Sequence, residues 1–119
     1  MPPTPIEKLV RDVVEKNGDK RVTVEVATIL DENSDPPKFR AFHYLIYAGH
    51  GENKEFLVKV VDKRSWPVRI EQQHADASLT TNYEAPNGTA ITGLLIGILE
   101  SKETAELLER VPPPAPPES

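Results

Sequence analysis

The chain has 119 residues, enough for one hydrophobic core and too few for two independent ones. Its 38% hydrophobic and 28% charged content, with a net charge of -5, describes a polar, acidic domain, and the lack of cysteine excludes disulfides, thiol nucleophiles and thiolate metal sites. The longest apolar run, Ala90 to Leu99, is too short for a bilayer and no apolar run follows a basic start; a cytoplasmic protein with no membrane contact is expected.

Residues 1–3 read as a flexible start, residues 4–111 as one α+β domain, and residues 112–119, with five of the twelve prolines, as an extended disordered tail. Thr4-Pro5-Ile6-Glu7 has the form of a capping box, with Thr4 as N-cap and Pro5 at the first helical position. Ile6, Leu9, Val10, Val13 and Val14 then recur at helical spacing, and Asn17-Gly18 is expected to end the helix in left-handed conformations. From Arg21 to Leu30 the period becomes two, with Val22, Val24 and Val26 on one side of a strand. Asp31 to Pro37 is a loop by composition.

Lys38 to Val61 reads as a long β-hairpin, two aromatic and β-branched runs around a polar loop with two glycines. Val68 to Gln72 and Ser78 to Tyr83 are candidate fourth and fifth strands. After Asn87-Gly88-Thr89, Ile91, Leu94, Leu95, Ile98, Ala105 and Leu108 lie near one helical face, although Ala90 to Leu99 fits a buried strand equally well. Gly93, Gly97 and Ser101 form a stripe of small residues, expected to let this helix pack closely on the sheet. The fold class expected is α+β: an antiparallel sheet of three to five strands, an N-terminal helix on one face, and a C-terminal helix.

Closing the loops with Leu30 opposite Lys38 and Ala48 opposite Lys54 puts Val22, Val24, Val26, Phe42, Tyr44, Ile46, Phe56, Val58 and Val60 on one inner face. The outer face then carries Phe39, Ala41, His43, Leu45, Tyr47, Leu57, Lys59 and Val61, with Ile29, Thr23, Glu25 and Glu55. So apolar a face usually marks an interface, unless the C-terminal helix covers it. The same register aligns Glu25, His43 and Lys59 in one row. A carboxylate there would raise the imidazole pKa as a pH-sensitive site requires, while a plain charge ladder gives the same row.

Other candidate chemistry is thin. Gly49-His50-Gly51-Glu52-Asn53-Lys54 lacks the spacing of a phosphate-binding loop and reads as a hairpin turn. His43, His50 and His74 do not sit at helical metal-ligand spacing, so neither a metal nor another cofactor is expected. Asn87-Gly88-Thr89 fits a glycosylation acceptor, which without a signal peptide should stay unmodified. Residues 38–69 carry seven basic and three acidic side chains between two acidic ends, which suits pairing between these regions or, as an alternative, an anionic partner.

The order helix, three strands, helix resembles the topology of double-stranded-RNA-binding domains, and that resemblance implies a cluster of lysines opening the second helix. Glu100, Glu103, Glu106 and Glu109 lie along that segment instead and would repel phosphates. In size, acidity and alternation of elements the chain also resembles type III secretion chaperones, which implies a dimer. The reading is a non-catalytic protein-binding or adaptor module, self-associating as a homodimer through its outer sheet face. The alternatives are a ligand or enzymatic pocket using His43 or Tyr44, and nucleic-acid binding through Lys38, Arg40, Lys54, Lys59, Lys63, Arg64 and Arg69.

Overall fold

In the computed structural model, which describes residues 4–111, the Thr4 side chain accepts the Glu7 N–H at 3.0 Å and opens helix α1, Pro5–Asn17. The expectations for residues 1–3 and for the proline-rich tail lie outside the described residues. Gly18 ends α1 in an extended conformation, φ -90° and ψ 156°, and not the left-handed one expected. Glycine is needed there for room, because a Cβ would lie 2.6 Å from the Val14 carbonyl oxygen.

Five strands follow: β1, Val22–Asp31; β2, Lys38–Ala48; β3, Glu55–Asp62; β4, Val68–Gln73; and β5, Thr80–Ala85. They form one antiparallel sheet in sequence order, so β1 and β5 are its edges. Gly49 and Gly51, at φ 102° and 64°, supply the left-handed backbone that turns β2 into β3.

Both hairpins close one position away from the expected register, with Asp31 opposite Lys38 and Ala48 opposite Glu55. A one-residue slip would turn every side chain to the other face. Each hairpin corrects it with a bulge: Arg40 falls between the pairs Ile29–Ala41 and Leu30–Phe39, and Leu57 between Ile46–Val58 and Tyr47–Phe56. Past the bulges the register stands two positions from expectation, Val22 facing Ala48 and Tyr44 facing Val60, so the two faces keep their expected residues. Between bulge and turn they are exchanged. Phe39, expected outside, pairs with Leu30 on the inner side, its ring 4.7 Å from that of Phe42. Leu57, also expected outside, is buried in the core, and Phe56 points outward beside Tyr47 with ring centroids 5.8 Å apart.

The ambiguous segment Ala90–Leu99 is helical and belongs to α2, Gly88–Leu99, capped by the Asn87 side chain accepting the Ala90 N–H at 2.9 Å. One continuous C-terminal helix was expected, but the chain breaks at Ser101. That residue is extended and caps α3, Lys102–Glu109, through the Thr104 N–H. Ile91, Leu95, Ile98, Leu99, Leu107 and Leu108 share one apolar core with Val10, Val13 and Val14 of α1 and with Tyr44, Ile46, Val58, Val60, Val68 and Ile70 of the sheet. All three helices therefore lie on the inner face. No helix among the described residues is long and apolar enough to cross a membrane.

At one end of the core the Tyr44 hydroxyl joins α1 to the sheet, 2.6 Å from Thr4 Oγ1 and donating to Asp62 Oδ2 at 3.1 Å. Burial, with the Asp62 carboxylate beside it, pushes the Tyr44 phenol up to about 12. The other Asp62 oxygen accepts the N–H of Arg64, a non-glycine residue at φ 63°, whose guanidinium lies 4.4 Å over the Phe39 ring.

The small-residue stripe on α2 does not make the close contact expected of it. A Cβ at Gly93 or Gly97 would meet nothing within 4 Å, because both glycines line a groove of about 310 Å³ between α2, Gln72 and Tyr83. Gly93→Ala and Gly97→Ala should therefore each raise stability by about 0.5–1 kcal/mol through helix propensity, measured by urea unfolding. A loss of stability would contradict the open groove.

Candidate protein-binding face

With every helix on the inner side, no helix among the described residues covers the outer face of the sheet, and the strand pairing orders that face into rows. One row runs Glu25, Leu45, Lys59, Glu71, Asn82, and the next Ala27, His43, Val61, Arg69, Glu84. Thr23, Tyr47 and Phe56 lie toward the β2–β3 turn, and Ile29 and Ala41 toward the other end. Ala41 and Val61 are 2% and 3% exposed although no helix among the described residues covers them. Leu45, Tyr47, Phe56 and His43 are half-buried.

The apolar stripe of β2 and β3 is thus flanked by charge on both sides. Lys54 Nζ lies 2.6 Å from Glu25 Oε2 and 4.5 Å from the centroid of the Tyr47 ring. Glu71 Oε2 sits 3.4 Å from both Lys59 Nζ and Arg69 Nε, and this atom is buried without a hydrogen-bond partner.

Of the residues assigned to the interface from sequence, the structure brings together Ala41, His43, Leu45, Tyr47, Lys59 and Val61, and the bulges remove Phe39 and Leu57. Phe56 takes their place. The signal for it was the run Phe56-Leu57-Val58, three apolar residues that cannot all obey a period of two. The proposed row of Glu25, His43 and Lys59 does not form, because the two-position shift sets Leu45 between Glu25 and Lys59 and places His43 opposite Ala27 and Val61. Burial and then the Lys59 cation push the His43 imidazole below its ordinary value, with Glu71 opposing and Arg69 reinforcing the shift. The expected rise is reversed.

The residues named for the two alternatives are placed as follows. Tyr44 is fully buried in its hydrogen-bonded network and His43 faces the opposite side of the sheet, so the two share no pocket. Among the basic residues considered for nucleic acid, Lys54, Lys59 and Arg69 face carboxylates and Arg64 covers Phe39 and Phe42.

One constellation was missed. His74 Nδ1 lies 3.0 Å from Glu103 Oε2, and His74 Nε2 lies 2.5 Å from Thr81 Oγ1, the order of a carboxylate–imidazole–hydroxyl relay. Glu103 also accepts the Ala75 N–H, so its carboxylate holds the turn of the β4–β5 hairpin as well as the imidazole. The His74 and Ala75 bonds keep that carboxyl below its ordinary range. The arrangement straps α3 to the hairpin over an open cleft of about 370 Å³. A position in the β4–β5 turn and one on α3 have no sequence relation that would reveal it.

Comparison with protein-family models, curated proteins and solved structures finds no match to this chain.

Two measurements check the geometry. Leu57→Ala should cost about 2–5 kcal/mol as a core truncation and Phe56→Ala less, by chemical denaturation; the reverse order would contradict the bulge. His43 should titrate below its ordinary 6.5 by NMR. Because the unfolded state then takes the proton more readily, stability should be flat above that pH and fall as pH drops from 6.5 toward the folded value. A midpoint at or above 6.5 would contradict the burial of the imidazole.

Proposed function

We propose that this protein is a non-catalytic protein-binding module that self-associates through the helix-free face of its sheet. The observation that carries the reading is that α1, α2 and α3 share a single core, which leaves the half-buried Leu45, Tyr47 and Phe56 on a face with no helix of the described residues over it. An antiparallel sheet with one solvated face normally alternates apolar residues inside with polar ones outside. Here the solvated side keeps an apolar stripe on β2 and β3, the pattern of a contact surface.

Two features favour a second copy as the partner. The stripe is bordered by both signs of charge, Glu25 and Glu71 against Lys54, Lys59 and Arg69, so two such faces related by a two-fold axis can match acid to base. A neutral His43 at pH 7 adds no like-charge repulsion at the centre.

An unpaired charge placed in the middle of such a contact costs several kcal/mol. Leu45→Asp should therefore halve the mass measured by sedimentation equilibrium and leave the far-UV circular dichroism unchanged, since Leu45 lies outside the core. A wild-type monomer, or a Leu45→Asp variant with the wild-type mass, would sink the proposal.

A further inference from the structure

The edge strand β1 carries a second contact that goes beyond the sheet face. β1 is ten residues long, pairs with β2 alone among the described residues, and has Glu25 as its one charge before Asp31. The Arg21 carbonyl accepts the Gly49 N–H at 2.7 Å, so the main-chain groups of odd-numbered residues point at β2. Alternation along an antiparallel strand then turns the N–H and C=O groups of Val24, Val26 and Thr28 to the open side. A long edge of this kind is a template for another strand unless something blunts it. Its inner side carries two of the most exposed large apolar residues among those described, Val26 at 38% and Leu30 at 47%, beyond the reach of α1.

We propose that β1 pairs antiparallel with β1 of a second copy about a two-fold axis through Val26, joining the two sheets into one of ten strands. A two-fold perpendicular to the sheet keeps inner residues opposite inner residues. Val26 then faces its own counterpart, Val24 faces Thr28 of the second copy, and Val22 faces Leu30, which covers both exposed apolar side chains. On the helix-free side Glu25 meets Ala27 and Thr23 meets Ile29.

The charges select this register. At each end Arg21, just ahead of β1, comes nearest to Asp31, while Lys20 and Glu32 lie in the turns that flank the strand. Arg21 already binds Asp19, and Asp31 already holds the Asn33 N–H, so the new attraction comes from the exposed, oppositely charged Lys20 and Glu32 of those turns, which this register brings to the same end of the joined strands. Moving the axis to Glu25 would oppose two carboxylates. Moving it to Ala27 would set Arg21 against Asn33 and Thr23 against Asp31 and lose both pairs. In the chosen register opposite charges at both ends bracket an apolar inner side, and the helix-free faces of the two copies become one continuous surface.

The test uses the full chain at tens of micromolar, by sedimentation equilibrium and by thiol cross-linking. Val26→Lys opposes two ammonium groups on the axis and should halve the wild-type mass; Val26 is exposed enough for the fold to tolerate it, as circular dichroism would verify. Lys20→Glu should weaken association about fivefold or more, and the double change Lys20→Glu with Glu32→Lys should restore it. The chain has no cysteine, so Val26→Cys offers a single thiol that a short bismaleimide should link into dimers, while Asn82→Cys on the opposite edge should not. A wild-type mass of one chain overturns the contact, as does a Val26→Lys variant that keeps the wild-type mass, or cross-linking no greater at position 26 than at position 82. Loss of mass in Leu45→Asp alone overturns the edge and leaves the face; loss in Val26→Lys alone does the opposite.

Discussion

A five-stranded antiparallel sheet can bury one face under its own helices and must leave the other to water or to a partner, and everything else about this molecule follows from which face the helices take. Tyr44 helps to hold α1 on the inner face. Its ring lies in the core with no exposure, and its hydroxyl ties the cap of α1 at Thr4 to the buried carboxylate of Asp62. With α1 fixed there, α2 finds its apolar neighbour in α1 and its floor in β4 and β5, and α3 closes the end of the same layer. Arg21 secures that end by donating to the Leu108 carbonyl at 2.8 Å. The opposite side of the sheet is left with an apolar stripe and its borders of charge.

The bulges at Arg40 and Leu57 decide what that side presents. Each compensates a turn that closes one residue off, and each moves one large apolar side chain inward. Phe39 goes to the aromatic group under Arg64, and Leu57 fills the core. What remains outside is smaller and more mixed, with Leu45, Tyr47 and Phe56 around His43 and the triplet Lys59, Glu71 and Arg69. A surface of that composition resembles the contact areas of proteins that also exist in water by themselves, where apolar anchors sit within a polar rim.

Much of this was legible from the letters because the signals were local. The Thr4-Pro5-Ile6-Glu7 cap, the alternation of Val22, Val24 and Val26, and the paired glycines at 49 and 51 each fix a piece of backbone within a few residues. The inner and outer faces of the central strands were legible too, since an error of two residues in register leaves the pleat unchanged. What escaped was set over longer range or by geometry that composition does not encode. No pattern announces that Arg40 is the extra residue of its hairpin, that Gly93 and Gly97 face a groove, or that Glu103 reaches back to His74. The charge row failed for the same reason, because the shift that spared the faces moved His43 one row away from Glu25.

The helix-free face should meet another surface in solution. A concentration series of the wild-type chain by two-dimensional NMR tests this directly, residue by residue. Amide and side-chain signals of Leu45, Tyr47 and Phe56 should move with concentration while those of Val10, Leu95 and Ile98 in the core stay fixed. Spectra that superimpose from the lowest to the highest concentration, with the rotational correlation time of a single chain, would contradict it.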